Sequence, residues 1–358
     1  MSSDDNDEYE IQDIEDYFEK KVDGYKYIEV YRNDILFDSI SELKNNDIEK
    51  KRIRINFINE DGYDDGGLFR DWLTTISQEI IDIGAIITTP DGEYYKINEN
   101  YEGTEIFTLI GQILGISFNN QESNSIKLMS SIWKFIFEKN INIEDMKEYD
   151  YYIYQSLKSI QQNDVQDMYL TFVDSKGEEL CYNGNEKEVT NDNKKEYIDL
   201  MIEKKLIGDY SKINAIKIGF ETAVNISECS NIGWETIRDF IKGKDDIDVE
   251  EWKDNCRYSS SDEEYVESFF DIISEWEEEK LKKLLKFITG TSVVPVEGFE
   301  YFEKLGGKIN IKFTDYDTNS FPISHTCYNQ IELPRYDSND DFEEKLLTAI
   351  EVEDFGFS

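Results

Sequence analysis

Histidine is nearly missing from this chain of 358 residues: there is one, along with four prolines and four cysteines. The lone histidine, His325, stands two residues from Cys327, so none is left to come from a distant segment, which weakens a papain-like hydrolase reading. The cysteines (Cys181, Cys229, Cys256 and Cys327) are far apart with no CxxC, so neither a disulfide frame nor a zinc site is indicated, and no metal or cofactor is expected. A reducing compartment is the simpler home: the cytoplasm, with the nucleus also open. Basic residues are scarce, 38 against 79 acidic ones, for a formal net charge of -41. Nucleic-acid backbones and anionic lipid would both be repelled, which argues against either as a partner. No apolar run approaches the ~18 residues of a membrane span, and the start, MSSDDNDEYE, is the opposite of a basic secretion signal.

What is abundant is aromatic: 23 tyrosines and 21 phenylalanines beside so few prolines argue for well-packed elements and against linker or disordered architecture. At about 150 residues per domain the length gives two or three units. The acidity is not confined to the N-terminus, although residues 1–24 are acidic and offer only Ile11, Ile14, Tyr17 and Phe18 to bury. That stretch reads as a mobile tail or one marginal helix. The charge as a whole reads either as a field that attracts basic partners or as a solvated surface.

The folded part follows. Ile28–Phe37 and Arg52–Ile58 alternate as strands do. Asp64 and Asp65 can cap a helix with Leu68, Trp72, Ile76 and Ile80 on one face, and Gly66 and Gly67 permit close approach at its start. Ile106, Phe107, Ile110, Ile113 and Leu114 stripe a second helix, whose Gly111 and Gly115 leave a smooth face for a neighbour. Ile126, Met129, Trp133 and Ile136 predict a third. From Met146 the composition turns aromatic and polar. A strand is expected at MYLTFV, then a hairpin around Lys176 and Gly184, so 146–206 reads as an inserted subdomain. Helices are expected over Ile213–Val224 and Trp234–Ile241, with a short one capped by Asp248. The Ser-rich run NCRYSSS then marks a boundary, followed by helices with a capping box at Ser261 and Glu264 and a terminating Gly290.

The run FPISHTCYNQIELP, from Phe321 to Pro334, holds the best candidate for reactive chemistry. If Thr326–Ile331 is a strand, His325 and Cys327 point the same way, and an imidazole beside a thiol favours thiolate, the form that attacks a carbonyl. The alternative is that Cys327 is a small hydrophobe in a half-buried strand, with the histidine a satisfied neighbour. His325 and Thr326 are the local candidates to polarise the sulfur or hold the loop.

The words HTCYN, LPRY and DFGFS, with EDGYDDGGLFRDWL near the start and GTSVVPVEGF between, make the chain from about Phe57 to Ser358 resemble a HECT-type ubiquitin ligase. The resemblance implies an α+β, bilobal fold. A mainly helical N-lobe would span 25–256, a hinge 257–261 and a smaller α/β C-lobe 262–358. It implies that Cys327 accepts ubiquitin as a thioester from a ubiquitin-conjugating enzyme and passes it to a substrate lysine. It also implies that 146–206 grips that enzyme through a groove built by Ile153, Leu157, Ile160, Tyr197 and Met201, although the same spacings serve a two-helix core. A phenylalanine four places from the end matters in this family, and here it is Phe355, which either locks the two lobes or sits in its own lobe's core. One departure is Gln112, in LIGQILGIS, where the family has arginine. With no recognition module ahead of the domain, it keeps a rival open: a catalytically silent decoy that binds a conjugating enzyme or ubiquitin.

Overall fold

The computed structural model describes residues 14–45, 47–60, 66–229, 231–244, 246–315 and 317–353. These divide into two compact units. The expected caps Asp64 and Asp65, and Phe355 at the far end, lie outside the described residues.

The first unit comprises residues up to 79, 113–125 and 223–358. Residues 14–21 are helical and bury Ile14, Tyr17 and Phe18; the two rings pack on Phe118 at 5.2 and 5.0 Å. That face gives the segment an aromatic anchor which its acidic composition obscures. Strand β1 (Tyr25–Val30) is parallel to β2 (Arg52–Phe57), with helix α1 (Ile35–Asn45) between them in sequence. Period-two alternation in β2 sends Ile53, Ile55 and Phe57 inward. The strand expected to run to Phe37 ends at Val30: a single 3-10 turn follows, and Ile35–Phe37 open α1 instead. Helix α2 (Gly67–Asp82) carries the predicted stripe, with Trp72, Ile76 and Ile80 fully buried.

Further along the chain in this unit come α9 (Trp234–Lys242), α10 (Val249–Asn255, its N-terminus capped by Asp248), α11 (Glu263–Ser274) and α12 (Glu278–Thr289). They are followed by a three-stranded sheet, ordered β5 (Asn310–Thr314), β7 (Gln330–Pro334), β6 (Ile323–His325), and by α13 (Asn339–Glu353). Leu284, Leu285 and Ile288 of α12 share one core with Ile311, Leu333, Phe342 and Leu346. Gly290 ends α12 at φ +82, a conformation that glycine adopts without penalty. The capping box expected at Ser261 does not form. A 3-10 turn (Ser260–Asp262) precedes α11, and Asp262 accepts from Arg335 at 2.7 Å.

The second unit comprises 80–112 and 126–222. It contains the hairpin β3 (Ile86–Thr88) with β4 (Tyr95–Ile97), and helices α3 (Glu105–Asn120, through Gln112), α4 (Ser130–Ile136), α5 (Met146–Tyr149), α6 (Tyr151–Gln162), α7 (Lys194–Ile202) and α8 (Tyr210–Ala223). Gly111 of α3 meets α8 backbone to backbone. A Cβ there would lie 1.9 Å from the Ile216 carbonyl oxygen, and one at Gly219 would lie 2.0 Å from that of Thr108. The smooth face read from Gly111 is thus a helix crossing that only glycine permits. MYLTFV is not a continuous strand. Tyr169 is left-handed, and only Thr171 and Val173 make isolated antiparallel bridges, to Glu188 and Glu179.

Candidate active site

Cys327 occupies the centre of one 3-10 turn, Thr326–Tyr328, between β6 and β7. The strand expected over 326–331 is therefore interrupted, and the alternation argument for His325 and Cys327 fails at this point. The cause is Asn329, whose left-handed backbone (φ 48, ψ 45) turns the chain and whose N–H donates to the Thr326 carbonyl at 3.2 Å. Cys327 is left half-exposed, between an exposed His325 and an exposed Tyr328. The His325 ring faces β7 across the antiparallel pair, its Nε2 3.7 Å from Glu332 Oε1, which also accepts from Lys312 at 2.7 Å. Thr326 holds the turn through its carbonyl.

The other wall of the turn is the first two turns of α2. Gly67, Arg70 and Thr74 recur on one helical face. Gly67 lies so close that a Cβ would stand 2.8 Å from Cys327 Sγ and 2.9 Å from its backbone nitrogen. Arg70 is completely buried. Its Nη1 donates to the Thr289 carbonyl at 2.7 Å and to Asn329 Oδ1 at 2.5 Å, its Nη2 to the Leu305 carbonyl at 3.1 Å, and its Nε lies 3.3 Å from Glu122 Oε1. Thr74 Oγ1 donates to the Gly290 carbonyl at 2.9 Å. A buried guanidinium is tolerated only when its fork of donors is satisfied, and these acceptors satisfy it. Beside this wall opens a recess of about 200 Å³ lined by Arg52, Arg54, Gly66, Leu305 and Gly306 among others.

All four cysteines are free thiols. Burial pushes Cys229 up to about 12 and Cys256 up to about 11, which keeps both protonated near neutrality. Among the described residues no group of three or more His, Cys, Asp and Glu is placed to hold a metal ion, and no helix is long and apolar enough to cross a membrane.

In the second unit, Leu157 and Ile160 of α6 and Tyr197 and Met201 of α7 are buried in the subdomain's own interior, where Tyr197 meets the Phe172 ring edge to face at 5.6 Å; Ile153 is only partly covered. The most exposed large side chains of this unit are aromatic: Tyr152, Tyr169 and Tyr182 are 78%, 89% and 92% exposed. A groove of about 740 Å³ in this unit is lined by Ile141, Ile143, Ile198, Ile202 and Tyr210 among others, and by none of the five residues read as partner-binding. Gln112 is buried.

Sequence reading missed Arg70 and Asn329 as parts of the site. Both lay inside quoted motifs, RDWL and HTCYN, and the signal was an arginine placed among the apolar positions of a buried helical face.

The fold is α+β, and it sets a half-exposed cysteine at a tight turn whose Asn329 accepts from the buried Arg70. The HECT-domain (ubiquitin-transferase) family matches residues 67–358, and the chain belongs to that family. It is 32% identical to the E3 ubiquitin-protein ligase pub3 of Schizosaccharomyces pombe over 353 residues, which cover 93% of this chain and 45% of that protein. To pub1 of the same yeast it is 32% identical, covering 93% and 46%. To the E3 ubiquitin-protein ligase RSP5 of Emericella nidulans it is 31% identical, covering 94% and 43%. The chain thus spans less than half the length of these curated relatives.

Proposed function

We propose that this chain is a ubiquitin-protein ligase that takes ubiquitin from a conjugating enzyme onto Cys327 as a thioester and passes it to a substrate lysine. The observation that carries the reading is Cys327 itself: half-exposed at a turn in the HTC motif and within the matched family region, while Cys229 is buried and desolvation keeps the thiols of Cys229 and half-buried Cys256 protonated near neutrality. Two thioesters are nearly equal in energy, so the first transfer needs an accessible sulfur held in position more than strong activation. Residues 146–206 are the segment we assign to the conjugating enzyme. We assign the contact to partly covered Ile153 and the outward tyrosines, with buried Leu157, Ile160, Tyr197 and Met201 as the core that supports them. The 257–261 segment is the proposed joint between a catalytic lobe at 262–358 and an N-lobe at 25–256. Two backbone hydrogen bonds tie Arg257 to Ile309, just before β5, at 2.7 Å and to Ile311 of β5 at 2.8 Å, so rotation either breaks them or occurs just before Arg257. A reducing compartment, cytoplasm or nucleus, suits the four free thiols.

The test is a reaction of the chain with activating enzyme, a panel of conjugating enzymes and ubiquitin, run on gels with and without thiol reductant. A reductant-sensitive ubiquitin adduct that is absent in Cys327→Ala is the expected result. No adduct across the panel, with conjugating-enzyme binding retained, would refute the transferase reading in favour of the decoy.

A further inference from the structure

We propose that Arg70 is a positioning residue for the cysteine turn, acting through Asn329, and that it governs the lysine step more than the loading step. The proposal rests on the ligase reading above.

Asn329 has no freedom left. Its side chain is fully buried, Oδ1 accepts from Arg70, Nδ2 donates to the Gly307 carbonyl at 2.7 Å, and its own carbonyl accepts from Asn310 N at 2.8 Å. Because its N–H also closes the 3-10 turn, fixing Asn329 fixes Cys327 two residues earlier. Arg70 gathers this side chain together with the last carbonyl of α12 and that of Leu305, so one guanidinium ties three separated pieces of chain to α2. Gly67, one helical turn earlier, places backbone directly against the sulfur. The turn is therefore braced at two points by one helix, while Cys327 stays half-exposed.

The two steps differ in what they ask of that brace. Loading exchanges one thioester for another and needs only a reachable thiolate. In the second step the lysine nitrogen forms a bond to the thioester carbon, the C–S bond breaks with its electron pair returning to Sγ, and the amine proton leaves to solvent. An amine attacking from bulk solution gains most from an acyl carbon held in one direction, because orientation replaces a search that the partner enzyme otherwise performs during loading.

Removing Arg70 would leave buried acceptors unpaired and risks the fold, so the informative change is at the other end of the contact. Asn329→Gly keeps the left-handed backbone and deletes the link. Asn329→Asp keeps a partner for the guanidinium and tolerates the same backbone. With the full chain, thioester formation and discharge onto free lysine would be timed separately. Asn329→Gly is expected to load within about twofold of the unchanged chain and to discharge about tenfold more slowly. Asn329→Asp should recover most of that loss, and Arg70→Lys should fall between. Unchanged discharge in Asn329→Gly would overturn the proposal. So would equal losses in both steps and in both Asn329 variants that track a lowered melting temperature, since that is what a purely structural role produces. If the unchanged chain forms no reductant-sensitive adduct, the ligase reading itself fails and takes this one with it.

Discussion

Gly67→Ala tests whether the sulfur of Cys327 rests on the start of α2. The added methyl carbon would lie 2.8 Å from Sγ, 2.9 Å from the Cys327 nitrogen and 3.0 Å from its Cα, whereas non-bonded heavy atoms settle near 3.5–4.0 Å. The turn must therefore retreat by roughly 0.7 Å or more. It cannot do so freely, because Asn329 is held on one side by Arg70 and on the other by Gly307. Overpacking of this kind costs about 1–3 kcal/mol, and because Gly67 is the first residue of α2 the mid-helix preference for alanine offsets little of it. In a chain of this size that lowers the melting temperature by roughly 1–4 °C. Displacing the turn should also change the rate at which Cys327 reacts with iodoacetamide, read by peptide mass spectrometry. An alanine variant that melts with the unchanged chain and alkylates Cys327 at the same rate would refute the claim that the turn is seated on α2.

Three further outcomes follow from other parts of the structure. Gly111→Ala should destabilise the second unit by about 3 kcal/mol or more, since its methyl would overlap the Ile216 carbonyl at 1.9 Å and force α3 and α8 apart; a soluble variant with an unshifted melt would contradict the crossing. Burial raises the pKa of Asp174, but the hydrogen bond from Lys205 and the N–H groups of Glu178 and Lys176 outweigh it and bring the carboxyl down to about 2. A depressed carboxylate contributes stability that is complete above its unfolded value near 4 and fades as pH falls towards about 2. Asp174→Asn should therefore cost about 2 kcal/mol at neutral pH and flatten the acid limb of the denaturation profile; an unchanged limb would count against the network. Finally, iodoacetamide at pH 8 should leave buried Cys229 unmodified until denaturant is added and should modify half-buried Cys256 more slowly than a free thiol, because desolvation holds both protonated.

Helices were legible wherever a long apolar stripe met a recognisable stop, as in α2 with Trp72, Ile76 and Ile80, or α12 with Leu284, Leu285, Ile288 and Gly290. Short elements were not. Ile35, Leu36 and Phe37 suit a strand as well as a helix over three residues, and what decided the matter was the helix running on to Asn45. MYLTFV has the composition of a strand but not the partner: with Tyr169 left-handed, only two residues of it find bridges. Local pattern reports which side chains want burial, and it is silent on which neighbour accepts the backbone.

The same limit separates the part of the site that could be read from the part that could not. Cys327 and His325 stand together in sequence, so their association was visible, but the inference that they share a face assumed an unbroken strand, and Asn329 breaks it. Arg70 and Asn329 are 259 residues apart and each looks ordinary where it stands: one is a charged residue on a helix, the other a polar residue beside a tyrosine. Only the fold makes them a pair. In a chain with twice as many acidic as basic residues, Arg70 is withdrawn from the surface to lie against one buried carboxylate, Glu122, and spends its other donors on two carbonyls and the Asn329 side chain, a placement with a large desolvation cost. Such a placement persists when the turn it holds must have one geometry, which is why the Asn329→Gly and Asn329→Asp pair separates positioning from mere stability.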